Sequence, residues 1–442
     1  MPGKRSDNSP AEMVQQETPD ISMPAEKYIV LVGDGMADYP VDELGGRTIL
    51  QAARTPYIDL LCRLGEVGLV NTIPEDMEPG SDVANMSLMG YDPKKYHTGR
   101  GPLEAGAMGV KMNPEDVAFR CNLVTLGFRD GRVYMDDYSA GHISTNEARK
   151  LLMDLKPQIN TRSFEIYGGV SYRHLLLWKG GPEGLATVPP HDFTGKDVTD
   201  AWRVYEEEPV LYELLVQAIN LFRRHPVNLK REKEGKPVAN SLWPWGQGRR
   251  PVMPTFPDMY DIKGSVIAAV DLIKGLGVWA GLEPVKVPGA TGYLDTDYSA
   301  KANAAIEEIK KKDLVFLHLE APDEAGHMGS IKEKIRAVER FDKEIVGPVY
   351  EGMKEISSSF RMLIVTDHYT PVSLKTHVLG PVPYVIYDSL EPKENSEATF
   401  DEVFAESTGI IVDPGHALME RFLGVEARYV ELDPKKRQQR GR

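Results

Sequence analysis

Lys27-Tyr28-Ile29-Val30-Leu31-Val32-Gly33-Asp34-Gly35 is the stretch that decides the fold class. The unbroken apolar run, with no polar alternation, predicts a strand buried on both faces, and Gly33-Asp34-Gly35 predicts that it stops at a tight loop. Downstream, Thr55-Pro56 reads as a helix start, with Thr55 at the N-cap, Pro56 at the first helical position, Ile58, Leu61 and Leu64 as the apolar stripe and Gly65 as the stop. Strand followed by helix points to an α/β layout. The pattern returns near the C-terminus, where Leu314-Val315-Phe316-Leu317-His318-Leu319 predicts a strand. Ser330 with Glu333 predicts a capping-box start to a helix striped by Ile331, Ile335, Val338 and Ile345. Two further strands fall around Met362–Val365 and Tyr384–Tyr387.

Outward from these runs, 442 residues leave room for two or three domains, at about 150 residues each. The 41% of hydrophobic residues is enough for a sizeable core, while 52 basic against 66 acidic residues give a net charge of −14, which argues against a partner held by phosphate neutralisation, so no nucleic acid is expected. Cys62 and Cys121 are the only cysteines. They provide neither a disulfide framework nor a thiolate zinc cluster, and a cytoplasmic location is expected. Residues 1–26 are polar, broken by Pro2, Pro10, Pro19 and Pro24, and read as a flexible N-terminal extension. The most apolar long segment, Ser265 to Leu282, is interrupted by Asp271, Lys274 and glycines, so no membrane span is expected. Between about 115 and 260 the texture changes: aromatics cluster, Arg173-His174 and Arg249-Arg250 appear, and Trp243-Pro244-Trp245-Gly246 and the charged run Lys230 to Lys236, read as a solvated loop, follow. We therefore expect residues 27–114 and 261–442 to build a core and 115–260 to form an inserted smaller domain.

Three apolar strands each run into oxygen or nitrogen donors: Asp34 after the first, Asp323 and His327 after the second, Asp367 and His368 after the third, with His377 on the next loop. In parallel α/β sheets the loops beyond the strands' carboxyl ends converge on one crevice, so these side chains can meet. Carboxylate and imidazole donors suit Mn²⁺, Zn²⁺, Mg²⁺ or Fe²⁺, and six of them are too many for one open catalytic ion, which points to two. Taken singly, each piece has a blander reading: Asp323 and His327 as a surface pair, Gly33-Asp34-Gly35 as a common turn. Their joint placement at strand ends reverses that preference. Ser81, in Pro79-Gly80-Ser81-Asp82, stands where a helix is expected to start and to run to Gly90. A hydroxyl there can attack a phosphoryl group bound by the helix N-terminus, although Ser81 read by itself is an N-cap.

The segments Gly33-Asp34-Gly35-Met36-Ala37-Asp38, Pro79-Gly80-Ser81-Asp82, Gly99-Arg100-Gly101-Pro102, Glu320-Ala321-Pro322-Asp323-Glu324-Ala325-Gly326-His327 and Asp367-His368 through His377 resemble the archaeal-type cofactor-independent phosphoglycerate mutases. Pro189-Pro190-His191-Asp192, Trp245-Gly246-Gln247-Gly248 and Gly289-Ala290-Thr291-Gly292-Tyr293 extend the likeness, which runs from Lys27 to Leu423 and departs from the family pattern at Asn85-Met86-Ser87 and Tyr369. The resemblance implies an alkaline-phosphatase-like α/β core, a mostly parallel sheet flanked by helices, with an inserted α+β domain. It also implies that Ser81 is the phosphorylated nucleophile, ligating an ion held by Asp34, Asp367 and His368, while Asp323, His327 and His377 hold a second. The implied reaction interconverts 3-phosphoglycerate and 2-phosphoglycerate through phosphoserine, with two divalent ions, manganese favoured over Mg²⁺, Zn²⁺ or Co²⁺, and with no bisphosphoglycerate. The expected partner is thus a small phosphoglycerate; a homo-oligomer stays open.

The inserted domain is the expected lid over the phosphoenzyme, since water competes with the retained glycerate. Its Arg173, Arg249 and Arg250 are expected to grip carboxylate or phosphate, with His174, His191 and Asp192 as further substrate contacts; His142, His174 and His191 are the acid/base candidates, His142 favoured, while His174 inside its strand also reads as a core residue. His318, inside an apolar strand, is read as structural. The competing reading is a metal-dependent phosphohydrolase, or a mutase for another phosphate ester, built on the same nucleophile and ions.

Overall fold

The structure is a computed structural model that describes residues 27–159 and 161–428. The extension expected at 1–26 lies outside the described residues. The chain enters with β1 (Lys27–Gly33) and β2 (Glu66–Val70). It then places β3 (Val117–Arg129), β4 (Arg132–Asp137), β5 (Phe164–Gly168), β6 (Arg173–Trp178) and β7 (Ser241–Arg249) in a second sheet. It returns with β8 (Gly264–Ile267), β9 (Glu283–Pro284), β10 (Leu314–Leu319), β11 (Phe360–Thr366), β12 (Val382–Asp388) and β13 (Ile411–Val412).

The larger sheet has eight strands in the order β13-β2-β12-β11-β1-β10-β8-β9. Only β12 runs against its neighbours, so the sheet is mostly parallel, as expected. β1 lies between β10 and β11, with Val32 in register with His318 on one side and Val365 on the other. Its apolar run serves two cores at once. Ile29 and Leu31 join Val315, Leu317 and Ile364 on one face, while Tyr28, Val30 and Val32 join Phe316, Leu363 and Val365 on the other. Each such Val, Leu or Ile side chain, fully buried, contributes about 1.5–3 kcal/mol. The same alternation puts His318 on the Leu314–Phe316 face, at the carboxyl end of β10.

In the smaller sheet the long strand β3 pairs antiparallel with β4, β6 and β7, and β5 continues beyond β6. The helices Thr145–Leu155, Thr199–Glu206 and Pro209–Phe222 cover it in an apolar cluster that includes Trp202, Tyr205 and Trp243. The helix Arg100–Ala107 joins the two halves, packed between β3 and the helix Asp271–Trp279. Backbone meets backbone there because the contact residues are glycines: a Cβ on Gly101 would run into the Ala118 carbonyl, and one on Gly275 into the Leu103 carbonyl.

Several local expectations are corrected. Thr55 stands at the N-cap of Pro56–Leu64, yet its hydroxyl bonds Asp59 Oδ1 at 3.3 Å instead of a backbone N–H. Ser330 caps Ile331–Phe341 by accepting from the Glu333 N–H, but Glu333 turns its carboxylate to Arg336 at 3.6 Å, so only half the capping box forms. Lys230 to Lys236 is not simply a loop. His225 and Pro226 start a helix, Pro226–Lys233, and Arg231 turns inward at 3% exposure, donating to the Ala140 and Pro237 carbonyls. Trp243-Pro244-Trp245-Gly246 lies within β7. Among the described residues no helix is long and apolar enough to cross a membrane.

Candidate active site

The carboxyl ends of β1, β10 and β11 lie side by side, so the loops leaving them converge. Asp34 leaves β1 with its N–H donated to Leu319 O at 2.9 Å. Gly35 then turns at φ 59°, close enough to its neighbours that a Cβ would strike Thr370 Oγ1 and Asp323 Oδ1, and so delivers its N–H to Asp367 Oδ1 at 2.9 Å. Asp323 and His327 stand one turn apart on the helix Ala321–Met328, directly after β10, with His327 Nε2 3.2 Å from Asp323 Oδ2. Thr370 ties the third loop in, donating to Asp323 Oδ1 at 2.5 Å and lying 3.2 Å from His368 Nδ1.

Two donor groups result, Asp34 with His318 and Asp367, and Asp323 with His368 and His377, the donor atoms in each lying within 4.8 Å of one another. His327 is joined to the second, its Nε2 3.0 Å from His377 Nε2. Ser81 is the first residue of the helix Ser81–Leu88, and Gly80 takes the N-cap, which corrects the reading of Ser81 as a cap. Its hydroxyl lies instead 3.1 Å from His368 Nε2. That same nitrogen is 3.4 Å from Asp34 Oδ1 and 3.5 Å from Asp367 Oδ2, so the hydroxyl, the imidazole and both carboxylates share one corner.

The electrostatics of this corner call for positive charge. Burial, followed by the neighbouring Asp367, Asp323 and Glu320 carboxylates, raises the Asp34 carboxyl well above its usual range. Asp34 Oδ1 is buried and accepts no hydrogen bond. Burial also opposes ionisation of Asp367, but His368 and His318 outweigh it and hold its carboxyl at about 2. The hydrogen bond to Asp323 lifts His327 to about 9. Clustered carboxylates and imidazoles, one carboxylate oxygen unpartnered in the interior, are donors that fit divalent cations.

His318 corrects the sequence reading. Its Nε2 lies 3.5 Å from Asp34 Oδ2 and 3.7 Å from Asp367 Oδ2, so it faces the site, and strand alternation at the end of β10 was the signal that could have found it. Asn85 is a second missed residue, donating from Nδ2 to Ser81 O and to Asp367 Oδ2, each at 2.9 Å.

A cationic and aromatic cluster stands on the smaller sheet. The Tyr138 ring meets those of His142, Tyr172 and His191, His142 also meets Tyr172, His191 reaches Trp245 at 5.4 Å, and Arg173 lies over Tyr172. Ala140, Gly141 and His142 are consecutive left-handed residues, at φ 49°, 62° and 48°, a conformation that costs energy in residues other than glycine and tends to persist at functional sites. Asp192 sits 3.7 Å from His191 Nε2. The sequence reading missed two arginines here: Arg120, over Trp245 at 4.3 Å and paired with Glu104 at 2.8 Å, and Arg100, which binds Asp82 beside Ser81 at 3.1 Å. The remaining expected contacts fall elsewhere. His174 is 3% exposed, on the β6 face that carries Leu176 and Trp178 into the apolar cluster, so it is not presented to a ligand. Arg249 is taken up by Glu183 and the Pro114 and Gly181 carbonyls, and Arg250 lies over Trp279.

A model of the 2,3-bisphosphoglycerate-independent phosphoglycerate mutase family matches residues 62–228. The chain is 48% identical over 397 residues to a probable 2,3-bisphosphoglycerate-independent phosphoglycerate mutase of Geobacter sulfurreducens, covering 90% of this chain and 99% of that one. It is 50% identical over 389 residues to the 2,3-bisphosphoglycerate-independent phosphoglycerate mutase of Methanosarcina barkeri, covering 87% and 96%. Among solved structures it is similar to the cofactor-independent phosphoglycerate mutase of Thermoplasma acidophilum, with a TM-score of 0.61 and 25% identity over 90% of this chain and 99% of that one.

Proposed function

The chain belongs to the 2,3-bisphosphoglycerate-independent phosphoglycerate mutases, and from that premise we propose which of its residues carry the reaction. The enzyme interconverts 3-phosphoglycerate and 2-phosphoglycerate without bisphosphoglycerate. Ser81 is the nucleophile, and the observation that carries this is its hydroxyl at a helix N-terminus, 3.1 Å from His368 and beside two carboxylate–imidazole groups. Divalent ions, one held by Asp34, Asp367 and His368 and one by Asp323, His327 and His377, would lower the pKa of the Ser81 hydroxyl and neutralise the phosphoryl oxygens, manganese being our assignment.

Ser81 Oγ attacks phosphorus in line, forming the serine–phosphate bond as the substrate's ester bond breaks, and the departing glycerate oxygen takes a proton. The other glycerate hydroxyl then gives up a proton and attacks the phosphoserine, which frees Ser81. We assign the proton traffic to His142, held in its strained turn between Tyr138 and Tyr172. Arg173, with Arg100 and Arg120, grips the substrate's anionic groups, and His191 and Asp192 line the same cluster. The stretch 115–260 acts as the lid that keeps water from the phosphoenzyme. A cytoplasmic location suits the two free, buried cysteines.

The test offers 3-phosphoglycerate and Mn²⁺ without bisphosphoglycerate and follows 2-phosphoglycerate and inorganic phosphate together. Isomer with little phosphate is expected; phosphate released in step with substrate loss would favour a hydrolase. Ser81→Ala is expected to lose at least a thousandfold in kcat and to take no label from ³²P-substrate.

A further inference from the structure

Asp34 presents one oxygen to each side of the site: Oδ1 stands 3.4 Å from His368, and Oδ2 stands 3.5 Å from His318. The first side carries the nucleophile, because His368 also reaches Ser81. The second is a closed stack of buried polar groups. His318 Nδ1 makes no hydrogen bond but faces Glu320 Oε1 at an ion-pair distance of 3.6 Å, and that oxygen accepts the Ala269 N–H at 2.6 Å and the Val270 N–H at 3.2 Å. Glu320 Oε2 takes the Lys301 ammonium at 2.5 Å, and the same ammonium donates to the His318 carbonyl at 2.9 Å. Lys301 and His318 are both at 0% exposure. Taking such charges out of water is costly, and apolar residues of similar volume often serve stability as well or better, so the stack calls for a purpose beyond packing.

We propose that His318 is a positioning residue that fixes the Asp34 and Asp367 carboxylates for the ion they hold, and that Glu320, clamped by Lys301, fixes His318. With Nδ1 turned to Glu320, Nε2 is the atom aimed at the two carboxylates. Asn85 Nδ2 lies 3.4 Å from that nitrogen and donates to Asp367 Oδ2, and an amide N–H beside Nε2 is a poor neighbour for a cation. His318 therefore supports the ligands and leaves coordination to them. His318 Nε2 stands at ion-pair distance from both carboxylates, and residues that support metal ligands typically matter by roughly 10–100-fold in metal affinity.

The inference rests on the reading of Asp34 and Asp367 as metal ligands. The full chain and its His318→Gln, His318→Leu and Glu320→Gln variants would be titrated with Mn²⁺, free ion being read by electron paramagnetic resonance. We expect His318→Leu to weaken one Mn²⁺ by roughly 10–100-fold, His318→Gln to recover most of that loss, and Glu320→Gln to shift the same ion. Turnover of His318→Leu is expected to fall and to recover as Mn²⁺ is raised, with KM for 3-phosphoglycerate unchanged. The metal-free melting temperature of His318→Gln should stay at the wild-type value. Unchanged Mn²⁺ affinity in His318→Leu and Glu320→Gln would overturn the proposal. So would the disappearance of a ¹⁴N coupling from bound Mn²⁺ in His318→Gln, which would make His318 a ligand. Should His318→Leu not fold, Glu320→Gln decides. Wild-type protein that binds no Mn²⁺ would remove the underlying ligand reading, and this inference with it, whereas bound ions with insensitive variants would remove only the inference.

Discussion

Two buried histidines on strands take opposite characters from their surroundings. His174 sits among apolar side chains; its Nδ1 accepts the Gly169 N–H at 3.1 Å, Nε2 is unpartnered, and burial brings the ring down to about 4. Burial acts on His318 in the same direction, yet the Asp367 and Glu320 carboxylates outweigh it and push the ring up to about 9. The consequence for stability is clearest at His174. Its folded pKa lies below the ordinary 6.5, so its contribution is complete above that value and is lost as pH falls from 6.5 towards 4. Between pH 7 and 4 the wild type should lose on the order of 3 kcal/mol more than His174→Leu, measured by urea denaturation of both along the pH series. Parallel curves would mean that the ring is not buried neutral. The donors that end strands were legible as residues because each interrupts an apolar run at its end. His318 was not, because alternation gives it the face of Leu314 and Phe316 without saying that this face meets Asp34 and Asp367, and neither was Arg120, whose place over Trp245 depends on how β3 and β7 pair.

At the scale of the element, the helix Ile331–Phe341 does more than cover the sheet. Lys334, at 0% exposure, donates to the Ala37 and Thr370 carbonyls at 3.0 and 2.9 Å and to Asp38 Oδ2 at 2.8 Å. One side chain thus joins the loop after β1 to the loop after β11. Lys334→Met leaves Asp38 buried without its counter-charge and should cost roughly 3–5 kcal/mol, read as a drop in the urea midpoint. A loss below about 1 kcal/mol, the scale of an exposed pair, would contradict the burial. Elements whose pattern was purely apolar were legible nearly to the residue, as β10 shows at Leu314–Leu319. Elements built on charge were not. The run from Lys230 looked solvated because sequence counts its charges, whereas the fold spends Arg231 on the carbonyl of Ala140, in the turn that carries His142.

Across the whole molecule, Asp34, Asp323 and Asp367 bring together loops from three strands, and Asp34 is raised well above the usual carboxylate range, first by burial and then by its acidic neighbours. Ions bound there should therefore act as cross-links. Protein stripped by a chelator is expected to melt lower, and Mn²⁺ supplied at a thousand times its Kd should restore about 4 kcal/mol per site, seen as a shift of the urea midpoint. Equal midpoints with and without Mn²⁺ would show that the carboxylates hold no ion. The larger sheet closes on each side with a strand of only two residues, Ile411–Val412 at one rim and Glu283–Pro284 at the other, the latter carrying a proline that has no N–H to offer. Long bare rims are what let one protein's sheet template growth onto another's, and stub strands with a charge and a proline are among the devices that block it. An enzyme built this way can be abundant in a crowded cell without its largest sheet becoming a seed for aggregation.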